Sequence, residues 1–232
     1  MQGTFDFGLG ASLAEARDKL AAFFGVLDPI PQRTPIDQLV KSLISNRTYD
    51  EVSLRAFDQL AGAYDGWAEV AAATDQRIEA LIAEVEFADR KAAHLGETLR
   101  RIQAERPDFD LRFLGDLPMS EAFIWLERLP GVGRKVAASV LNFSTLRRPA
   151  LVIDTHVDRV LKKLGLIGSR ARIEAAYGAV MNAAADWSAT DLTDLHVWMK
   201  RLGQTMCRPS RAHCDRCPLR DTCCGASTPA LG

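Results

Sequence analysis

Apolar residues along this chain recur three and four positions apart, and an alternation of apolar and polar residues never persists. Leu13, Ala16, Leu20, Phe23 and Phe24 follow the helical spacing within residues 11–27. The stretch "TPIDQLVKSLIS" opens with Thr34 as a cap, Pro35 at the first helical position and Asp37 in the first turn, a complete helix start. Further helical patterns cover roughly 50–63, 75–85, 90–104, 120–128, 134–144, 155–165, 171–185 and 190–202, with breaks at Gly, Pro, Asp and Ser. The pattern predicts an all-α fold. No low-complexity linker or internal repeat interrupts it, so two domains, if present, are expected to pack closely rather than swing on a tether.

Composition narrows the class. The chain has 232 residues, 47% hydrophobic and 25% charged, enough for one or two globular domains with a real core. No apolar run reaches the roughly 18 residues of a membrane span, and the first residues lack a basic region followed by an apolar one, so the expected location is the cytoplasm. The net charge of −1 hides an asymmetry. Residues 129–232 hold fifteen Lys or Arg against eight Asp or Glu, whereas residues 1–128 hold fourteen against twenty-two. A basic face for a polyanion is one reading of this split, and a solvated surface without a partner is the other.

All five cysteines fall within "CRPSRAHCDRCPLRDTCC". Cys207, Cys214, Cys217 and Cys223 have the spacing C-x6-C-x2-C-x5-C, with Cys224 left over as a spare thiol. Clustered thiolates in a reducing compartment converge on a soft metal or a metal cluster rather than on disulfides. Zinc sites usually show two tight cysteine pairs and this segment has one, so spacing alone leaves zinc and a cluster both open. The same loop carries Arg208, Arg211, Arg216, Arg220 and His213 against only Asp215 and Asp221. The arginines either present a phosphate-binding surface or offset the charge of four thiolates.

Upstream, "LPGVGRKVAASVLNF" joins two helical patterns. Ser120 is the expected cap of the first, Pro130 its stop, and Gly131 and Gly133 the residues that permit a tight reversal. Exposed backbone N–H groups at such a turn, together with the positive end of the following helix, make a phosphate clamp of Gly131, Val132, Gly133 and Arg134. Glycine that merely turns a helical hairpin is the competing reading.

"LPGVGRK", then "VIDTHVDRVLKKLG", then the four-cysteine loop, in that order, resemble the endonuclease III family of DNA glycosylases with AP lyase activity. The resemblance runs from about Pro35 to Cys223 and is most specific in the C-terminal half. It implies a six-helix barrel with the helix-hairpin-helix motif over residues 33–148, and an iron–sulfur domain from residues 1–32 and 149–232, with a DNA groove between them. It implies a [4Fe-4S] cluster on Cys207, Cys214, Cys217 and Cys223. Lys135 becomes the nucleophile that attacks C1′ of the damaged nucleotide, and Asp154 the carboxylate that assists it, although Asp154 also stands where a helix cap belongs. Glu127 matches a family carboxylate near the lesion pocket and equally fits an exposed helix glutamate. His156 lies inside the matching motif and is read as a satisfied histidine with no catalytic role.

Two positions depart from the family. Arg47 stands where a glutamine typically fills the space left by an extruded base, and Glu86-Phe87 replace a Gly-Leu pair that wedges the duplex. Phe87 retains an apolar wedge, whereas Glu86 would repel phosphate. The implied substrate is double-stranded DNA with damaged bases, oxidised pyrimidines above all, or abasic sites. The expected protein is a monomer in the cytoplasm, associated with the nucleoid through DNA. An adenine glycosylase for mispairs lacks the counterpart of Lys135, a non-catalytic DNA-structure binder would not need Lys135 with Asp154, and a zinc-stabilised interaction module would carry no iron.

Overall fold

The structure is a computed structural model that describes residues 6–223 and 225. Eleven α-helices form among the described residues. In chain order these are α1 Asp6–Phe24, α2 Pro35–Ser45, α3 Asp50–Gly62, α4 Trp67–Ala72, α5 Asp75–Leu81, α6 Ala88–Glu105, α7 Met119–Glu127, α8 Arg134–Phe143, α9 Thr155–Lys163, α10 Ile173–Ala183 and α11 Ala189–Thr205. No strand forms among them; the Arg33–Ser144 and Cys207–Ala212 bridges are isolated. The all-α expectation holds, and no helix of the described residues is long and apolar enough to cross a membrane.

Local chemistry accounts for several helix ends. Thr34 accepts a hydrogen bond from the Asp37 N–H with Pro35 in the first turn, as its sequence predicts. Ser188 and Asp191 form a reciprocal capping box on α11. Helix α9 stops at Gly165, whose φ of 74° permits bonds from the Gly165 N–H to Lys162 O and from the Leu166 N–H to Leu161 O. Ser120, by contrast, is not a cap. Pro118 takes that place in an extended conformation, and the helix begins at Met119, so Ser120 lies within its first turn. Helix α4 has six residues, too few for a period to register in the sequence. Trp67 anchors it through an indole N–H donated to Asp37 Oδ1 at 2.8 Å.

The chain divides into two compact units, Pro31–Arg148 and the described residues of Met1–Ile30 with Pro149–Gly232. The first contains seven α-helices, one more than six because α4 is present. Helix α2 runs through it with Leu39, Val40 and Ile44 fully buried, packed against α3, α6 and α8. A buried polar knot fixes the α2–α8 register: Gln38 Nε2 donates to Ser42 Oγ at 3.0 Å and Ser139 Oγ at 3.1 Å, and the two hydroxyls are 2.9 Å apart. In the second unit α11 packs on α9 and α1 on α10 and α11, around Leu13, Leu20, Val157, Leu161, Leu195 and Met199.

Candidate functional site

The reversal between α7 and α8 is built by a single left-handed glycine. Gly131 has φ 75°, and a Cβ there would stand 3.0 Å from His94 Nδ1 and 3.2 Å from Leu43 Cδ2. Gly133 is different: it caps α8 in an extended conformation, and a Cβ would meet nothing within 4 Å. Only one of the two glycines is therefore demanded by the turn, and the other leaves open space beside the helix start. Val132 is buried, and Thr98 Oγ1 donates to Pro130 O at 2.9 Å, tying the turn to α6. Glu127 is not a lone surface carboxylate. It pairs with Arg134 across the hairpin, Oε1 to Nε at 2.9 Å and Oε2 to Nη2 at 3.1 Å, while the guanidinium lies 4.2 Å from the Phe123 ring centroid.

Lys135 is half-buried in the first turn of α8, one turn before Ser139 of the polar knot. A second lysine faces it. Lys91 is buried on α6, and its ammonium donates to Ile44 O at 2.7 Å and Thr48 Oγ1 at 2.9 Å. Burial first, then the like charges of Lys135 and Lys41, bring its pKa down to about 8 against an opposing pull from Glu86. Lys91 shares the inward stripe of α6 with Leu95 and Thr98, a lysine at an apolar position that could have flagged it.

Arg47 and Phe87 come together in the same unit. Both are exposed, both have left-handed backbones with φ 55° and 58°, and the Arg47 guanidinium lies 5.8 Å from the Phe87 ring centroid. Arg90 stacks on the same ring at 4.5 Å. Non-glycine residues seldom adopt this conformation, and those that do concentrate at functional sites.

In the other unit Asp154 caps α9. Its Oδ1 accepts from the His156 N–H at 2.8 Å and the Val157 N–H at 2.9 Å. Burial works to raise its pKa, but His196, the Val157 N–H, His156 and Lys200 outweigh it and hold the carboxyl below its ordinary range. One carboxylate thus combines the cap with a sheltered negative charge. His196, absent from the sequence reading, is buried with Nδ1 2.7 Å from Val152 O. His156 is half-buried with Nδ1 3.1 Å from Arg159 Nη2.

Cys207, Cys214, Cys217 and Cys223 follow α11 on a loop with two short 3-10 turns, Cys214–Arg216 and Arg220–Thr222. Burial raises the Cys217 thiol above its usual range; a backbone hydrogen bond from Leu219 opposes this, and the nearby Cys223, Cys207 and Cys214 add to it. Cys207 is raised by burial and by Cys223 against the pull of Arg159, whose Nε donates to Cys207 O at 2.7 Å. Among the described residues no three His, Cys, Asp or Glu side chains are grouped so as to hold a metal ion. Arg208, Arg211, Arg216 and Arg220 are exposed, and Arg208 Nε donates to Gln204 O at 2.8 Å. Cys224 lies outside the described residues. A cavity of about 800 Å³ between α1, α10 and the Leu164–Gly168 turn contains none of the predicted site residues.

Residues 40–188 match the HhH-GPD superfamily of base excision DNA repair proteins. Endonuclease III of Thermotoga maritima is 30% identical over 190 residues, which span 82% of each chain. The chain belongs to the endonuclease III family. Its class is accordingly that of the base-excision DNA repair glycosylases. Endonuclease III of Rickettsia felis is 37% identical over 100 residues, 42% of this chain and 44% of its own. A protein of Arabidopsis thaliana named as a DNA glycosylase is 32% identical over 151 residues, so the match spans 65% of this chain and about half, 51%, of that relative. Two solved structures share the fold. A trapped endonuclease III–DNA covalent intermediate superposes with a TM-score of 0.77 at 21% identity, over 94% of this chain and 96% of that one. A thermostable thymine-DNA glycosylase gives 0.74 at 15% identity, over 93% and 97%.

For an endonuclease III family member, the grouping of candidate residues is clear within each unit. Pro31–Arg148 carries the hairpin, Lys135, Glu127, Arg47 and Phe87, and adds Lys91, Thr48 and the polar knot, which the sequence reading missed. The other unit carries Asp154 and the four cysteines, and adds His196 and Lys200.

Proposed function

We propose that this protein is a bifunctional DNA N-glycosylase and AP lyase that removes damaged pyrimidines, oxidised ones foremost, from duplex DNA. The observation that carries the reading is Lys135 in the first turn of the helix that follows the glycine hairpin. Its amine attacks C1′, the N-glycosidic bond breaks, and the bonding electrons leave with the base, which takes up a proton. Asp154, held as a carboxylate, stabilises the positive charge that develops on the sugar. Opening of the sugar ring gives an imine between Lys135 and C1′, loss of a C2′ proton follows, and the 3′ phosphate departs by β-elimination. In the Gly131–Arg134 segment the Val132 N–H is donated to Leu129 O at 3.1 Å, and backbone N–H groups on either side of it are offered to a DNA phosphate, with Gly133, which a Cβ would not crowd, letting the backbone approach closely. Arg47 and Phe87 occupy the space of the extruded base. DNA as partner is supported by the likeness to endonuclease III bound to DNA.

The donor chemistry of the cysteine loop fits a [4Fe-4S] cluster. Four thiols on one loop that act on one another supply the soft anionic donors such a cluster takes. Cys207, Cys214, Cys217 and Cys223 would hold it, and when bound it would cross-link the loop that displays Arg208, Arg211, Arg216 and Arg220.

Borohydride trapping tests the activity. The expected result is a covalent protein–DNA adduct on duplexes with an abasic site or an oxidised pyrimidine, absent with Lys135→Ala. A wild-type protein that binds both duplexes and forms no adduct on either would overturn the lyase reading and favour a non-catalytic binder.

A further inference from the structure

The two exposed non-glycine residues with left-handed backbones, Arg47 and Phe87, sit on segments 40 positions apart in the chain, and neither segment is regular structure. What joins them is buried. The Lys91 backbone N–H closes the first turn of α6 on Phe87 O at 3.0 Å. From the same residue the side chain reaches Ile44 O, in the last turn of α2, and Thr48 Oγ1, immediately after Arg47. Thr48 Oγ1 also accepts from the Glu86 N–H at 3.2 Å, beside Phe87. Every link therefore starts or ends one residue or less from the strained pair, or at the carbonyl end of α2, where a cation is favoured.

We infer that Lys91, acting with Thr48, is a positioning residue that clips the Arg47 segment to the Phe87 segment and holds the pair ready to fill the space of an extruded base. The inference rests on the glycosylase reading above. The site is an expensive one for an ammonium: it is buried, Lys135 and Lys41 oppose its charge, and only Glu86 of the groups acting on it favours it. An apolar side chain would fill the same stripe of α6 without that penalty, but would leave Ile44 O and Thr48 Oγ1 without their donor. Strained residues persist only when their surroundings over-determine them, and this clip supplies the constraint for both.

The test uses the full chain with Lys91→Met, Thr48→Val and Thr48→Ser, each checked by thermal melting. Base extrusion is read from the fluorescence of 2-aminopurine placed beside a single 5-hydroxyuracil in a duplex, and excision from single-turnover rates on the same lesion either paired or in an unpaired bubble. Lys91→Met and Thr48→Val are expected to lose the fluorescence rise and to slow excision of the paired lesion by up to about 100-fold. Excision from the bubble, where no pairing must be broken, recovers; trapping on an abasic site is unchanged in Thr48→Val, which leaves the charge that acts on Lys135 in place. Thr48→Ser, which keeps the hydroxyl, behaves as wild type. Equal losses on paired and bubble lesions, or a wild-type fluorescence rise in folded Thr48→Val, would overturn the clip. A wild type that raises fluorescence but forms no adduct refutes the lyase reading alone, and the variants' fluorescence still decides the clip.

Discussion

Asp154 shows two demands met by one side chain. The N-terminus of α9 needs an acceptor for its unpaired N–H groups, and a developing sugar cation needs a negative charge nearby; the carboxylate satisfies the first in the structure and is proposed for the second. The substitutions separate them. Asparagine keeps an acceptor at the cap, so Asp154→Asn should melt close to wild type while excision falls by about 100-fold or more. Asp154→Ala should lose the activity and also about 1 kcal/mol of stability, read from denaturant midpoints. The cap was legible because Asp before a helical run is a local signal. The influence of His196 was not, since it comes from α11, about 40 residues away in sequence, and no periodicity encodes which helix faces α9.

Among the elements, the hairpin distinguishes a glycine required by the backbone from one left open for a partner. Gly131→Ala forces a Cβ against His94 and Leu43 at positive φ, and should cost about 1 kcal/mol or more in thermal or chemical melts. Gly133→Ser meets open space and adds a better cap to α8, so its stability should equal or exceed wild type, yet its hydroxymethyl stands where a phosphate would approach and DNA affinity measured by fluorescence anisotropy should fall. The sequence made both glycines look alike. Their difference lies in what surrounds them, as does the difference between Glu127 as a surface glutamate and Glu127 as the partner of Arg134. Ser120 erred for a related reason: Ser-x-x at a helix start is a strong local pattern, but with Pro118 in the cap place the helix begins two residues earlier.

At the scale of the whole molecule, the buried ammonium of Lys91 ties stability to pH. Its folded pKa of about 8 lies below the ordinary lysine value of 10.5, so the folded state sheds this proton first. Below about 8 both states hold the proton and the burial penalty is complete; as pH rises from about 8 to 10.5 the unfolded chain alone retains it, and stability rises. Urea midpoints of wild type should therefore gain on those of Lys91→Met across that window, and parallel midpoints would show that the lysine is not buried as a cation. The sequence alone determined the all-α class, most helix starts and stops, the order of hairpin, Asp154 motif and cysteine loop, and through them the family, because caps, turns and ligand spacings are interactions within a few residues. Tertiary structure alone decided which side chains meet. It set Lys91 under the Arg47 and Phe87 segments, tied Ser139 to Gln38 across about 100 residues and surrounded Asp154 with His196 and Lys200. Those contacts depend on packing between distant helices, where burial and geometry, rather than local pattern, fix the outcome.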